Sequence, residues 1–291
     1  MSIPISKLPA PNSDNWDLII RPKSGWFDLH LNDLWRYRDL TMLFVWRDFV
    51  AQYKQTILGP LWHLIQPLFT TLLFTVIFGK VAKLPTDGLP PILFYLAGVT
   101  GWNYFADCLN RTSGTFIANA GIFGKVYFPR LTVSVSAVIS NIIKFGIQFA
   151  LFLAFVLFYW GQGASIHPNA AVLLVPFLVL IMAALGLGCG IIISSLTTKY
   201  RDLQILVSFG VQLAMYATPV IYPMSIFPKA AQWILLLNPM APIIETFRYA
   251  FLGQGMFSPL YLACSVGITA VILAIGIVLF NHVEKTFMDT V

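Results

Sequence analysis

The sequence predicts an all-α polytopic membrane protein with six transmembrane helices. Three observations support this prediction: 58% of the 291 residues are hydrophobic, 10% are charged, and the mean hydropathy is +0.77. A soluble domain carries about 25% charged residues, so this chain has too few to cover a water-soluble globule. Its apolar residues are grouped into segments close to the ~20 residues that cross a bilayer as a helix.

The chain divides into a cytoplasmic N-terminal segment, residues 1–56, and a six-span transmembrane domain, residues 57–291. The beginning of the first segment is polar and has no apolar core of the kind that a signal peptide needs. From residue 34 onward it lacks helix breakers and places an aromatic stripe beside a basic edge, which favours an amphipathic interfacial helix. A soluble helix packed on a partner is the alternative. The aromatic stripe contains Trp35, Met42, Trp46, Phe49 and Tyr53, and the basic edge contains Arg36, Arg47 and Lys54.

Six apolar segments in the second part are separated by turns or polar residues. Gly59-Pro60 precedes the first segment, and the charged turn at 197–202 separates the fourth from the fifth. We expect transmembrane helices at approximately 61–78, 91–117, 131–160, 170–196, 203–222 and 259–280.

Residues 223–258 are apolar, but four prolines interrupt them. The helical pieces that remain, 229–238 and 242–252, would each cross about half of a ~30 Å hydrocarbon layer. We therefore predict a re-entrant helical hairpin between spans five and six. Its candidate residues are Phe227, Trp233, Glu245 and Arg248, of which the last two are expected to form a local, structural ion pair.

Lysine and arginine are distributed unevenly along the predicted topology. With the N-terminus inside, 12 of the 18 basic side chains lie on the cytoplasmic side, four lie outside and two lie within spans. The positive-inside rule then places both termini in the cytoplasm. This distribution accounts for the net charge of +6 without a nucleic-acid partner.

Three charged residues lie inside predicted spans: Asp107, Arg111 and Lys144. Intramembrane charges are functional candidates by default. Asp107 and Lys144 lie ten to thirteen residues from the inner ends of their spans, at a depth of roughly 15–20 Å. We predict an ion pair between them, with Arg111 one turn from Asp107. The pair either lines a transport path or joins two helices.

Four stretches, in this order over some 200 residues, resemble the permease family of type-2 ABC exporters. They are 53–67 (YKQTILGPLWHLIQP), 124–130 (GKVYFPR), 199–223 (KYRDLQ through TPVIYP) and 238–253 (NPMAPIIETFRYAFLG). The likeness is to the polysaccharide branch, which exports O-antigen, capsule or teichoic acid. It implies a homodimer in the inner membrane with one translocation path between protomers, and it does not decide which polymer is carried. We expect a lipid-linked polysaccharide of the O-antigen type. The likeness also implies two copies of a separate cytoplasmic ATPase.

The chain has no GxxxxGK[ST] loop for nucleotide phosphates. We therefore expect no catalysis and no cofactor on this chain, with ATP and Mg²⁺ on the partner subunit. Segment 118–130 is short and lies between two long spans, so it is the candidate for ATPase docking; an ordinary turn anchored by aromatic residues is the alternative. The candidate coupling residues are Asn119, Phe123, Lys125, Tyr127, Phe128 and Arg130.

Sugar rings present apolar C–H faces that stack on aromatic rings, and their hydroxyl groups need polar partners. On the family picture, spans one and five supply such side chains to the polymer path; lipid-facing aromatic residues are the alternative. The candidates are Trp62, Gln66, Phe69, Thr70, Phe78, Gln212, Tyr216 and Tyr222.

Two other classes of function are open to a membrane protein of this size. An enzyme acting on lipid-linked sugars would need convergent acids, and the only outer acids, Asp87 and Glu245, lie far apart in sequence. An ion-coupled carrier would favour an internal repeat, and we find none. Both remain alternatives to the exporter subunit.

Overall fold

A computed structural model of the chain describes residues 31–54, 56–126, 128–200, 202–228 and 237–290. This part of the chain is all-helical, with ten α-helices and no strand, as predicted. Short helical turns at Gly59–Leu61, Ala170–Leu174 and Met224–Ile226 connect helices, and Thr75–Val81 extends the third helix as a π-helix. The α-helices are α1 (Leu31–Arg36), α2 (Arg38–Tyr53), α3 (Trp62–Phe74), α4 (Pro91–Ser113), α5 (Thr115–Phe123), α6 (Leu131–Gly161), α7 (Val175–Thr197), α8 (Leu203–Tyr216), α9 (Met240–Leu252) and α10 (Pro259–Thr290).

Four helical stretches of the described chain are long and apolar enough to cross a membrane. They are Gly59–Val81, Leu131–Gly161, Ala170–Thr197 and Pro259–Glu284. These stretches coincide with the predicted first, third, fourth and sixth spans.

The predicted second and fifth spans differ from the observed helices. Helix α4 has 23 residues, but it stops at Ser113 because Gly114 separates it from α5, so it is shorter than the predicted 91–117. Helix α8 has 14 residues and ends at Tyr216 rather than at residue 222. Pro219 accounts for this early end, because it disfavours helical backbone at the preceding residue. The count of six spans therefore stays a prediction.

Helix α4 is the centre of the fold. It packs most extensively on α7 and α6, and it also contacts α3, α8 and α9. Glycines allow α7 to approach its neighbours closely: a Cβ on Gly186 would lie 2.7 Å from the Cβ of Cys108 on α4. A Cβ on Gly276 of α10 would lie 2.8 Å from the carbonyl oxygen of Gly188. Small residues at contacts of this kind are typical of helix packing in membranes.

A second apolar cluster joins α2 and α5 to the start of α6 and the far part of α10. We call it the aromatic cluster; it consists of Phe44, Phe116, Phe123, Phe128, Leu131, Val133, Ile191 and Phe280. Helix α2 therefore packs through Phe44 and Val45, while part of the predicted stripe points away from the fold: Trp35 is 74% and Trp46 64% exposed. Tyr53, at the other end of the stripe, is half-buried, and its ring centroid lies 5.8 Å from that of His63. The helix in the N-terminal segment is observed, and its place in a headgroup layer stays a prediction.

Helix α9 is the observed part of the predicted hairpin. Of its 13 residues, all described, 12 are buried, and it packs on α4, α7 and α10 and on the turn Ala170–Leu174. It ends at Gly253, which caps it with a left-handed conformation, φ 74°. Residues 229–236, with Trp233, lie outside the described residues, so the hairpin stays a prediction.

Candidate functional site

The predicted coupling segment consists of the end of α5 and the turn that leads into α6. Phe123 and Phe128 are 5% and 6% exposed, and their ring centroids are 5.8 Å apart. Phe128 also lies 5.7 Å from the ring of Phe44 on α2. In this arrangement the two rings anchor the turn to the aromatic cluster of the chain itself, so they are not presented to a partner.

Arg130 ties the same turn to α10. Its Nη1 donates to the carbonyl oxygen of Glu284 at 2.6 Å, and its backbone N–H donates to Glu284 Oε1 at 3.2 Å. The exposed tip of the turn consists of Gly124, Lys125 and Val126, while Tyr127 lies outside the described residues. A force on this tip would act on α2, α6 and α10 together.

The candidate path residues lie at the edge of the fold rather than in its core. On α3, Trp62 and Phe69 are 54% and 69% exposed, and Gln66 between them is also exposed. The remaining candidates divide into Gln212 and Tyr216, which are exposed, and Thr70, Phe78 and Tyr222, which are half-buried. Because α3 and α8 both pack on α4, their exposed side chains flank one central helix.

Helix α8 carries a polar stripe of which sequence analysis identified two members, Gln212 and Tyr216, and missed two, Gln204 and Ser208. Val211 is its one buried residue among Leu203–Tyr216, all of which the structure describes. Gln204, Ser208, Gln212 and Tyr216 are exposed and follow one another at intervals of four, which places them along one side of the helix. We call this set the α8 stripe. The spacing of four residues is visible in the sequence, but the exposure of these side chains is not.

The intramembrane charges form two separate pairs. Lys144 Nζ lies 3.8 Å from Asp107 Oδ2, an ion pair between α6 and α4. Arg111 does not join it: its Nη2 lies 3.5 Å from Asp48 Oδ2 on α2. Asp48 was not among the charged residues predicted from the sequence, because only the fold brings α2 alongside the end of α4.

Glu245 and Arg248 form a buried pair, with each side chain 1% exposed. Arg248 Nη1 donates to Glu245 Oε1 at 3.1 Å and to the carbonyl oxygen of Pro219 at 2.6 Å. Its Nη2 donates to the carbonyl oxygen of Val220 at 2.6 Å, and the guanidinium lies 3.7 Å from the ring centroid of Phe94. Arg248 thus joins α9 to α4 and to the segment after α8.

Glu245 accepts two further hydrogen bonds, from the backbone N–H of Met224 at 3.4 Å and of Met256 at 3.0 Å. It also lines a cavity of about 510 Å³ together with Asp87. The two acids that are far apart in sequence therefore meet in the fold. Both carboxylate oxygens of Glu245 accept hydrogen bonds. This favours the structural role that we predicted from its position in the sequence. Phe227 is the third hairpin candidate among the described residues. Its ring centroid lies 5.4 Å from that of Tyr222.

Residues 39–252, most of the chain, match the family of ABC-2 type transporters. The chain belongs to this family. As an ABC-2 type transporter it is a multi-pass membrane protein of a transport system, and the family is not one of catalysts.

Relatives cover nearly the whole length of this ABC-2 transporter. An O-antigen export system permease protein of Klebsiella pneumoniae is 30% identical over 252 residues, which are 86% of this chain and 94% of the relative. The O-antigen export system permease protein of Myxococcus xanthus is 26% identical and covers 90% and 98% of the two chains. The polysialic acid transport protein of Escherichia coli is 24% identical and covers 84% and 93%.

Proposed function

We propose that this chain is the channel-forming transmembrane subunit of an ATP-driven exporter that moves a lipid-linked polysaccharide of the O-antigen type across the inner membrane. The relatives that match over almost their full length include O-antigen export system permease proteins and a polysialic acid transport protein. The structural observation that carries the proposal is the α8 stripe. Polar side chains in membrane helices face a protein interior or a water-filled cavity rather than lipid. The four residues of the α8 stripe are exposed in the described fold, although Gln204 lies close to Gly114.

The α8 stripe and the exposed side of α3 fit a path between two protomers. Gln212 supplies hydrogen bonds for sugar hydroxyl groups, and Tyr216 adds an aromatic face on which sugar rings stack. Trp62 and Phe69 add aromatic surface from α3. We infer a homodimer in which these two helices face their counterparts across the path. In this arrangement α4 and α8 are the second and fifth transmembrane helices, and both termini lie in the cytoplasm.

The tip formed by Gly124, Lys125 and Val126 is the proposed contact with the ATPase. Two copies of that cytoplasmic subunit would carry ATP and Mg²⁺, one for each protomer. Displacement of the tip would be transmitted to α10 through Arg130 and Glu284, and to α2 through Phe128 and Phe44. Tilting of those helices would change the width of the path.

Residues 223–258 belong at the opposite end of the path in this proposal. Helix α9 has the length of a re-entrant element, about two thirds of the ~30 Å hydrocarbon layer. The buried Arg248 holds it against α4. We propose that this region forms the outer hairpin and covers the exit.

Reconstitution tests the function. The chain is purified with and without a co-expressed ABC ATPase subunit and placed in proteoliposomes that contain a lipid-linked O-antigen. We expect ATP hydrolysis and movement of the polymer only when both subunits are present. ATP hydrolysis by this chain alone, or export that follows an imposed ion gradient without ATP, would overturn the proposal.

A further inference from the structure

Side chains of α2, α4, α5 and α6 line a partly open cavity of about 390 Å³. This volume falls in the range of roughly 300–1,000 Å³ that small-molecule sites occupy. We propose that the cavity binds the phosphate group of a membrane lipid. We call it the arginine cavity; its polar lining consists of Arg47, Asp48, Arg111, Thr115 and Asn119.

Arg111 is incompletely satisfied in this cavity. Its Nη1 is buried and has no hydrogen-bond acceptor among the residues that the structure describes. Its Nη2 reaches Asp48 Oδ2 at 3.5 Å, which is longer than the 2.7–3.2 Å usual for N–H···O bonds. Buried polar groups are normally paired, and an exception calls for an unseen acceptor. An anion in the cavity supplies that acceptor.

The charges of the lining also favour an anion. Arg47 donates to Asp48 Oδ1 through Nε at 3.0 Å and through Nη2 at 2.8 Å. One carboxylate is thus shared by two guanidinium groups, Arg47 and Arg111, so the lining keeps one positive charge. The planar fork of donors on each arginine matches the geometry of a phosphate group.

The position of the cavity points to a lipid as the carrier of the phosphate. One wall is α2, whose exposed side carries Trp46 and Met42, 64% and 59% exposed. Exposed apolar side chains beside a basic edge are typical of a helix at the headgroup level, where lipid phosphates lie. The opposite wall is α5, which leads into the proposed ATPase contact.

Two lipids present this chemistry: a phospholipid of the bilayer and the phosphate-linked lipid that carries the exported polymer. The second source depends on the proposed function, and the first does not. If the carrier occupies the cavity, its phosphate lies between α2 and the segment that the ATPase would move.

Binding to the purified full-length protein tests the inference by native mass spectrometry in detergent. The probes are geranylgeranyl pyrophosphate, dioleoyl phosphatidic acid, inorganic pyrophosphate and neutral geranylgeraniol. We expect the two charged lipids to bind and geranylgeraniol not to bind. Arg111→Gln should weaken charged-lipid binding about tenfold or more, which equals about 1.4 kcal/mol, and Arg47→Gln should act in the same direction.

Matched variants on α2 distinguish binding in the arginine cavity from nonspecific electrostatic attraction. Arg38→Gln removes an equal charge from an exposed position and should leave binding unchanged. Asp48→Asn removes the carboxylate that competes for both arginines and should tighten binding several-fold, whereas Asp39→Asn, which changes an exposed acid, should not.

Equal losses in Arg38→Gln and Arg111→Gln would overturn the site, as would equal binding of geranylgeraniol and the charged lipids. Inorganic pyrophosphate that binds as tightly as the lipids would overturn the role of the lipid. Tighter binding of the isoprenoid pyrophosphate supports the polymer carrier as occupant, and tighter binding of phosphatidic acid supports a bilayer phospholipid. Failure of ATP-driven export with intact lipid binding would count against the proposed function alone.

Discussion

At the scale of single residues, the buried charges define which parts of the chain are held rigidly. Arg248 makes three hydrogen bonds through Nη1 and Nη2, to acceptors from two segments, Glu245, Pro219 and Val220. Gly98 makes room for this network, because a Cβ there would lie 2.7 Å from Arg248 Nη2. Asp107 and Lys144 are less enclosed, with side chains 40% and 15% exposed.

Replacing Arg248 by Met should destabilise the protein strongly. The change leaves the Glu245 carboxylate buried without its counter-charge, and breaking a buried pair in this way costs about 3–5 kcal/mol. We expect a clear fall in the Tm of the detergent-solubilised protein, followed by tryptophan fluorescence. Adding Glu245→Gln should restore part of the loss. A Tm equal to that of the wild type, or to that of the exposed control Arg38→Met, would contradict a structural role for Arg248.

The pair of Asp107 and Lys144 should show coupling in a double-mutant cycle. Asp107→Asn and Lys144→Met are combined, and we expect a coupling of about 0.5–1 kcal/mol in stability, at the low end for contacting residues, because the 3.8 Å separation is long and Asp107 is partly exposed. The control cycle uses Arg38 and Asp39, an exposed pair that should show almost none. Additive losses at both pairs would show that Asp107 and Lys144 do not interact.

At the scale of elements, α8 and α9 differ in how much of their surface the rest of the chain buries. Helix α9 is buried on nearly all sides, so its side chains are held by the chain itself. Helix α8 packs on the fold through one side, around Val211, and is exposed on the others. In the proposed function, the exposed side of α8 faces the path and a second copy of the chain.

Replacing Gln212 by Leu should impair export without affecting the amount of protein in the membrane. The substitution keeps an apolar helix suitable for insertion but removes hydrogen-bonding groups from the α8 stripe. We expect a several-fold lower rate of polymer export by the reconstituted exporter. The control is Leu213→Ala, a truncation at the neighbouring exposed position, 52% exposed, which should leave the rate close to that of the wild type. Equal effects of the two changes would argue against a path along the α8 stripe.

At the scale of the whole molecule, the fold links an exposed tip to distant helices. The turn after α5 is fixed to α10 by Arg130 and to α2 by the aromatic cluster. Because α10 packs extensively on α7, and α7 on α4, the linkage reaches the centre of the fold. A partner that moves the tip would therefore move the helix bundle and not only a loop.

Replacing Lys125 by Glu should weaken the contact with the ATPase subunit. Lys125 is exposed at the tip, so reversing its charge changes the docking surface without disturbing the buried rings below it. We expect less ATPase subunit to co-purify and a lower rate of coupled ATP hydrolysis, with an unchanged Tm. Lys54→Glu alters an equally charged, exposed residue at the end of α2 and should have little effect. Unimpaired co-purification of the Lys125 variant would place the contact elsewhere.

The sequence by itself determined the helical class, four of the predicted spans and the family. These depend on local properties: the length of apolar segments, breaks such as Gly59-Pro60, and short motifs with their order. The end of α9 at Gly253 is equally local, because glycine adopts positive φ without strain.

Only the tertiary structure decided which side of each helix meets the rest of the chain. In a membrane protein the lipid-facing and core-facing sides are both apolar, so the sequence contains little indication that Phe44 rather than Trp46 is the packing residue of α2. The same applies to Phe123 and Phe128, whose rings lie in the aromatic cluster. The contacts of Arg111 with Asp48 and the meeting of Asp87 with Glu245 join residues far apart along the chain. Such pairings arise from helix packing, and no local pattern encodes them.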